Sequence, residues 1–325
     1  MFLSKFIFGQ DIHFSQYDGS LLNHSPAFTG LFNGDYRVGA IYRSQWQAVP
    51  VPYSTFSMNG EARLRPKQFV KDAIGVGVLF NNDKAGDTRY GTTQLYGSGS
   101  YIYSSLDSSL LFSIGLNVGW CQVGFDYSRM TFDNQFDGLQ YNPSLNTGEH
   151  FDWTKYNYAD LNLGTAIQYR LNRIYTLTYG LGLHHLSSPV ITYQGNTVSK
   201  LDFKIANYFR FVSPVNPKMD VIAEALFNKQ GKYFEFIPHA SLKYYFNRDL
   251  NQAVLGGVCL RARDAIVFRM GYNIKTLQSG IAYDINTSKF IAATNRRGAF
   301  EIFVNYIIKT TPSYTAKKRV CPVFM

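Results

Sequence analysis

The stretch L-L-F-S-I-G-L-N-V-G-W, Leu110–Trp120, alternates large apolar residues with mostly small or polar ones. Successive side chains of an extended strand point to opposite faces. One face of this strand is therefore a band of large apolar groups, and the other face is mostly small and polar. The band ends on the aromatic ring of Trp120. This pattern is typical of a barrel strand that faces lipid on one side and a polar lumen on the other.

The same alternation recurs along the chain. It is clearest in the segments Ala73–Phe80, Tyr175–Leu183, Leu201–Phe211, Ile266–Asn273 and Phe300–Lys309. A soluble β-sandwich is the alternative interpretation, because its strands also alternate and its turns come every ~8–12 residues. The strands here are longer, and their second face has Gly, Asn, Arg, Lys and Glu. We therefore favour a membrane barrel.

The composition agrees with this interpretation. Aromatic residues make up 16% of the 325 residues, although the mean hydropathy is only −0.16. No run of about 18 apolar residues exists, so the sequence predicts no transmembrane helix. Aromatic girdles around a barrel explain many aromatic rings without such a helix.

The alternating segments and the turn residues between them predict fourteen strands. They lie near residues 34–47, 53–64, 73–82, 90–104, 109–125, 157–171, 174–186, 200–213, 219–228, 232–247, 252–261, 265–274, 277–286 and 297–309. The sequence thus predicts an all-β fold, a transmembrane outer-membrane β-barrel of about 14 antiparallel strands.

The lengths of the connections predict the orientation of this barrel. One alternate set of connections is short throughout, whereas the other includes Asp126–Tyr156 and Ser187–Lys200. Outer-membrane barrels have short periplasmic turns and longer outer loops. The short set is therefore expected to face the periplasm.

We interpret the chain as one domain. Residues 1–9, which begin M-F-L-S-K-F-I-F, are interpreted as the remnant of a signal peptide. Residues 10–325 form the single β-barrel domain, with an ordered N-terminal segment at 10–33 and a C-terminal tail at 310–325. Pro312 and Pro322 argue against a further strand in the tail.

The net charge of +10 raises the possibility of nucleic-acid binding. Lys and Arg are scattered, however, and form no stripe or arm, so no nucleic-acid partner is expected. The three cysteines, Cys121, Cys259 and Cys321, show neither a CxxC nor a zinc spacing. One disulfide is compatible with them, and the sequence does not choose the pair.

Two groups of residues were considered for chemistry. His184 and His185 lie near Ser187, but no G-x-S-x-G motif supports a hydrolase, and adjacent strand residues point to opposite faces. His150 lies in an acidic loop that lacks the D-x-D-x-D-G spacing of a calcium loop. We therefore expect no enzyme activity, no metal site and no cofactor.

The polar face of the predicted strands leaves two questions open. Glycines on several strands either mark the close approach of a ligand or relieve crowding and let the wall bend, and we favour the second role. These glycines are Gly75, Gly77, Gly97, Gly99, Gly115 and Gly119. The charged residues Lys204, Arg210, Arg269 and Glu301 either line an open pore or pair with one another and close it.

Three N-terminal motifs resemble a known family. They are Q-D-I-H-F-S-Q-Y at Gln10–Tyr17, N-H-S-P-A-F-T-G at Asn23–Gly30 and Y-R-S-Q-W at Tyr42–Trp46. Their order and spacing are similar to those of the PorP/SprF family of type IX secretion system membrane proteins. The segments Gly182–Pro189 and Cys321–Phe324 also resemble family motifs. Ile12 departs from the family pattern, which usually has proline there.

The resemblance implies a non-enzymatic protein of the outer membrane that supports secretion or surface attachment of a specific cargo such as an adhesin. The expected partners are type IX secretion components, a secreted cargo protein with a C-terminal signal domain, and outer-membrane lipid. An outer-membrane channel or transporter for small or hydrophobic solutes is the alternative function.

The long loop at Asp126–Tyr156 is the predicted surface for such a partner. It has aromatic side chains among charges, and exposed aromatic side chains are common interface anchors. The predicted partner-binding residues are Phe132, Phe136, Tyr141, Phe151, Trp153 and Tyr156. A loop folded over its own barrel mouth is the alternative interpretation of these residues.

Overall fold

A computed structural model describes residues 11–46, 52–66, 71–172, 174–194, 197–262, 264–288 and 294–310. Fourteen antiparallel strands form a closed barrel, in which β1 pairs with β16 and the other strands pair with their neighbours in the chain. With β8 and β9, which are not part of the barrel, the described residues contain sixteen strands: β1 (Tyr36–Gln45), β2 (Tyr53–Leu64), β3 (Ala73–Ala85), β4 (Tyr90–Ser104), β5 (Leu110–Gly124), β6 (Lys155–Leu171), β7 (Tyr175–His184), β8 (Val190–Gln194), β9 (Thr197–Lys200), β10 (Lys204–Asn216), β11 (Met219–Gln230), β12 (Tyr233–Asn247), β13 (Gln252–Arg261), β14 (Ala265–Ile274), β15 (Leu277–Asn286) and β16 (Arg297–Ile308).

The predicted barrel and all fourteen of its strands are confirmed. Strands β8 and β9 lie outside the barrel and form a separate two-stranded sheet, so β7 pairs directly with β10. The hairpin lies in the segment Ser187–Lys200, which the sequence predicts to be an outer loop. Its strands have five and four residues, and such short segments show too little alternation to be recognised.

The predicted faces of the strands are also confirmed. Ile114, in the apolar band of β5, is 52% exposed, whereas its neighbour Asn117 on the other face is 2% exposed. Aromatic side chains project outward near both ends of the barrel. Near the short turns they are Tyr36, Tyr101, Tyr103, Tyr169, Tyr244, Tyr272 and Tyr306, and near the long loops they are Tyr42, Trp120, Phe234, Tyr283 and Phe300. These two belts bound the lipid-facing surface.

The two ends of the barrel differ in their connections. At the end where β1 begins, the turns between strands are short, as between β10 and β11 or between β14 and β15. At the other end lie the long loop between β5 and β6 and the β8–β9 hairpin. We call them the short-turn end and the long-loop end. By the rule for outer-membrane barrels, the short-turn end faces the periplasm.

Residues 11–35, here called the lumen segment, run through the inside of the barrel. At the long-loop end, Asp11 contacts His185, which follows β7, and Lys204, the first residue of β10. At the short-turn end, the backbone N–H of Asp35 donates to the carbonyl of Ile308, the last residue of β16. The segment contains three short 3-10 helices, Tyr17–Gly19, Leu21–Asn23 and Pro26–Phe28.

The core of the molecule lies around this segment. Tyr17, Leu22 and Phe28 of the segment are buried in one cluster with wall residues such as Tyr208 and Leu226. Two edge-to-face ring contacts join the parts, Tyr17 to Tyr208 at 5.9 Å and Phe28 to Tyr208 at 5.5 Å between centroids. A segment that sequence analysis could only place before the first strand is therefore part of the barrel interior.

Cys121 and Cys259 are both buried and are free thiols. Cys321 lies outside the described residues, as do the predicted signal peptide remnant at 1–9, Gln10, and the tail from residue 311 onward. In the described part of the chain, no helix has the length and apolar character needed to span a membrane.

Candidate functional site

The candidate site consists of the filled lumen and the long outer loop. In the lumen, the Glu301 carboxylate of β16 accepts hydrogen bonds from the backbone N–H groups of Ser15 at 2.7 Å and Gln16 at 2.8 Å. Arg43 of β1 pairs with both Glu301 and Asp284, at 3.0 Å from Asp284. These contacts fasten the start of the lumen segment to the wall near the seam between β1 and β16.

A second polar cluster lies at the long-loop end. His185 donates or accepts at both ring nitrogens, with Nδ1 at 3.0 Å from Asp160 and Nε2 at 2.8 Å from Asp11. Lys204 Nζ donates to the same Asp11 carboxylate at 3.1 Å. The first described residue of the lumen segment is therefore held by two wall residues.

A third cluster lies deeper in the lumen. Arg269 of β14 binds the Asp18 carboxylate with both terminal nitrogens, at 2.9 and 2.8 Å. Glu224 of β11 accepts from the ring of His239 at 2.7 Å and lies 3.4 Å from Arg210. With the Glu301 and Lys204 contacts above, all four predicted lumen charges are engaged. Their partners are Asp11 and Asp18 of the lumen segment and Glu224 and Arg43 of the wall, so the four charges do not pair with one another as the second alternative supposed.

The glycines of the polar face have a role that the sequence analysis considered only for a foreign ligand. A Cβ at Gly115 would lie 2.5 Å from the carbonyl oxygen of Pro26, and a Cβ at Gly75 would clash with the carbonyl of Thr29. The favoured prediction, relief of crowding within the wall, is therefore wrong for these two positions. They make room for the backbone of the lumen segment.

The other four glycines lie on two different faces of the wall. Gly77 and Gly119 face the lumen, whereas Gly97 and Gly99 face outward. A Cβ at Gly77 would contact the side chains of Glu61 and Thr29, and one at Gly119 would clash with the ring of Tyr96. Gly97 and Gly99 have no atom nearer than 4.0 Å to such a Cβ. Gly164, Gly180 and Gly182 also stand on lumen-facing positions, so a set of lumen-facing glycines was visible in the sequence. Only the fold shows that the lumen segment contacts these three glycines.

Two small cavities adjoin the lumen segment toward the long-loop end. One cavity of about 40 Å³ lies between Asp11, Lys204 and residues of β12, and another of about 20 Å³ lies beneath His184 and His185. A cavity of ~10–15 Å³ is enough for one water. These cavities have room for water and none for an organic solute.

The two histidines considered for catalysis have structural contacts instead. The Nε2 atom of His184 lies 3.1 Å from the carbonyl oxygen of His24 in the lumen segment, and both ring nitrogens of His185 are engaged as described above. The Ser187 hydroxyl donates to the carbonyl of Ala159. Within the described ranges, no group of three or more His, Cys, Asp and Glu side chains is placed to hold a metal ion.

The structure divides the six predicted partner-binding residues of the long loop. Phe132 and Phe151 each pack on Tyr127, at 5.6 and 5.8 Å between ring centroids, and Phe151 also packs on Phe125. Phe136, Tyr141 and Trp153 are exposed, and Phe136 is 59% exposed. A backbone bridge joins Phe136 to Tyr141.

The sixth residue, Tyr156, lies apart from the other five. It is the second residue of β6 and pairs with Val123 of β5. It stands on the lumen-facing side of that strand, two residues before Tyr158 and in phase with the buried Asp160. The loop therefore presents three of the six rings to solvent.

Local hydrogen bonds shape the loop around those rings. The Ser128 hydroxyl donates to Asp126 at 2.6 Å and lowers the pKa of that carboxyl. The backbone N–H groups of Gln140 and Leu139 donate to Asp137 and lower its pKa in the same way. Both carboxylates are therefore charged at neutral pH, beside the exposed aromatic side chains.

The fold and the lumen together define a class of protein, an outer-membrane β-barrel whose interior is filled by its own N-terminal residues. Residues 7–306 match the family described as type IX secretion system membrane protein PorP/SprF, so the chain belongs to that family. The expected family and location in the outer membrane are thereby confirmed. A comparison with curated proteins gave no match.

Solved outer-membrane barrels have a similar fold. The crystal structure of the Ralstonia pickettii toluene transporter TbuX is 11% identical, covers 89% of this chain and 92% of its own, and has a TM-score of 0.55. A Pseudomonas aeruginosa FadL homologue is 9% identical, covers 87% of this chain and 92% of its own, and has a TM-score of 0.51. At these identities the likeness concerns the fold alone.

Proposed function

We propose that this barrel supports the secretion or surface attachment of a specific cargo protein, such as an adhesin with a C-terminal signal domain, while other type IX components supply the transport. Membership of the PorP/SprF family carries this proposal. It includes the expectation that the protein is not an enzyme. The pairing of His184 and His185 with structural partners is consistent with that expectation.

The long loop is the surface that we propose for the cargo. Phe136, Tyr141 and Trp153 project from it beside charged side chains. Large aromatic groups surrounded by polar ones are the usual anchors of protein interfaces, because they bury much area with few rotatable bonds. Phe132 and Phe151 support this surface from beneath by packing on Tyr127.

A deletion strain tests the proposed function. The surface and culture proteomes of the strain lacking this gene are compared with those of the parent. We expect one or a few type IX cargo proteins to be lost from the surface, while the remaining cargo is unchanged. If every cargo reaches its usual place, the proposed function is wrong.

Variants of the loop test the proposed surface separately. Replacing Phe136, Tyr141 and Trp153 together with alanine is expected to reproduce the loss of cargo seen in the deletion strain. Thr131 and Gln140 lie in the same loop and are exposed, so their double alanine variant is the control. A triple variant that keeps its cargo places the docking surface elsewhere and leaves the secretion role intact.

The alternative function, a channel for small or hydrophobic solutes, requires a path through the wall or the lumen. The lumen segment and its ion pairs occupy the interior between Asp11 and Asp35, which counts against a path along the barrel axis. The two functions predict different phenotypes, since a channel predicts altered uptake of a solute with normal surface proteins.

A further inference from the structure

Basic side chains collect at the lumen mouth of the short-turn end, although sequence analysis found Lys and Arg scattered. Seven stand on lumen-side positions of the strand ends or in the adjoining turns: Arg37, Arg63, Arg65, Arg170, Lys243, Arg248 and Lys309. Three acidic residues, Asp35, Glu61 and Asp220, stand on the same side. This end of the lumen therefore has an excess of positive charge.

The three carboxylates are already engaged. Glu61 is bound by Arg37 at 2.7 Å, Asp220 by Arg248 at 2.6 Å, and Asp35 by Arg65 at 2.9 Å. Among the described residues, the four other basic groups form no ion pair with a carboxylate. They are Arg63, Arg170, Lys243 and Lys309.

The strand register shows which way these groups point. Arg170 is in phase with the buried Ala166 of β6, and Lys243 is in phase with the buried Ser241 of β12. Their neighbours Tyr169 and Tyr244 point outward into the aromatic belt. The excess charge therefore faces the axis of the barrel and not the lipid headgroups around it. Among the described turn residues at this end, Lys71, Lys218 and Lys275 are equal in number to Asp72, Asp107 and Asp249.

The spacing of these groups excludes a small anion as the ligand for all of them. The four groups lie on or directly after β2, β6, β12 and β16. Around the barrel, β6 is four strands from β2, β12 is four strands from β6, and β16 is four strands from β12. Neighbouring strands lie ~4.8 Å apart, so four positions span about 19 Å along the wall. A ligand that contacts the basic groups of more than one of these strands must therefore be as long as a polypeptide segment.

We propose that the short-turn mouth is a docking site for an acidic segment of a periplasmic protein. The lumen segment ends at this mouth. There the backbone N–H of Asp35 donates to β16, and Arg63 donates to the carbonyl of Phe32. The basic side chains therefore surround the mouth on its lumen side. Opposite charges steer and align such a partner, and the contact weakens with salt because these groups are near water.

The test uses the full-length protein in nanodiscs of phosphatidylcholine. The probe is a fluorescent oligoglutamate of about ten residues, which extends to about 33 Å. We expect binding that weakens as NaCl is raised. Replacing Arg170, Lys243 and Lys309 together with glutamine should weaken it by about tenfold, the sum of the contacts of two exposed charges and the partly buried Lys243.

The matched control neutralises three exposed lysines at the long-loop end, Lys84, Lys229 and Lys232, and should leave binding unchanged. Heat-modifiable gel migration verifies that both triple variants are folded. The proposal is overturned by equal losses in the two variants or by the absence of binding. It is also overturned if free glutamate competes equally well at the same carboxylate concentration. If the parent retains anionic phospholipid, the variant of Arg170, Lys243 and Lys309 does not, and neither binds the peptide, then the basic groups bind lipid and the proposal is also overturned.

Discussion

Gly75 and Gly115 stand opposite carbonyl groups of the lumen segment, where a Cβ has no room. In an interior packed as densely as this one, an added methyl group must displace something. Here the displaced object is the backbone of residues 26–29, whose own hydrogen bonds depend on its position. Gly75 and Gly115 therefore leave the space in which residues 26–29 of the lumen segment lie.

The first prediction compares two glycines of the wall. Gly115→Val should destabilise the barrel by about 1–3 kcal/mol, because the new side chain overlaps Pro26. Gly97→Val places the same side chain on the outward face, where no atom lies nearer than 4.0 Å to the Cβ. It should be neutral. Urea unfolding of the refolded proteins measures both, and equal losses would contradict the packing described here.

The second prediction concerns the lipid face. Ile114→Arg should destabilise the folded barrel by roughly 2–4 kcal/mol, because a cation near the middle of the apolar band faces hydrocarbon. Gln168→Arg, on a partly exposed lumen-facing position, is the control and should have a small effect. Asn117 is a poor control, since Asn162 donates to its amide oxygen at 2.7 Å in a packed interior. The temperature at which heat-modifiable migration is lost gives the comparison.

The lumen segment depends on polar anchors as much as on its buried rings. One such anchor is Glu301, which accepts two backbone N–H groups and pairs with Arg43. Buried N–H groups without a partner are costly, and so is a buried cation that loses its carboxylate. One residue of β16 therefore controls whether the first turn of the segment stays in place.

The third prediction tests this anchor. Glu301→Ala should reduce stability by about 3–5 kcal/mol and expose the segment to chymotrypsin at Phe14 or Tyr17. Asp107→Ala removes a carboxylate from an exposed turn, where only Ser105 and Ser109 bind it, and should do neither. If the segment of the Glu301 variant resists the protease as the parent does, the anchor is not needed.

The strands were predictable because their signal is local. Five of them, including β2 and β4, have the predicted bounds, since alternation and the adjoining turn residues fully define them. The location of the lumen segment was not predictable in this way. Ser15 meets Glu301 across 286 positions of the chain, and no pattern within a short window records such a contact.

The loop shows the same division between local and distant information. Its aromatic residues were identified from the sequence, but their separation into supporting and exposed rings was not. That separation arises because Phe132 and Phe151, distant in the loop, both pack on Tyr127. The docking role of Phe136, Tyr141 and Trp153 remains a prediction.

On the scale of the whole molecule, the barrel is a filled cylinder. The fourth prediction is that the parent protein in a planar bilayer shows little ion conductance, while a variant lacking residues 11–33 shows open, stepwise conductance. The reason is that the segment and its partners occupy the interior of the barrel between Asp11 and Asp35. Deletion of loop residues 133–146, which leaves the segment in place, is the control and should stay closed. Strong conductance by the parent would contradict a closed lumen.

The path of the lumen segment also constrains how the molecule is assembled. The segment joins β1 at one end of the barrel and reaches the opposite end at Asp11, and β1 completes the ring by pairing with β16. Threading it through a finished ring would drag the carboxylates of Asp11 and Asp18 past a tightly packed wall. That route is unfavourable because the charges would be without partners on the way. We therefore expect ring closure to come last, with the segment already inside, so that the pairing of β1 with β16 encloses it.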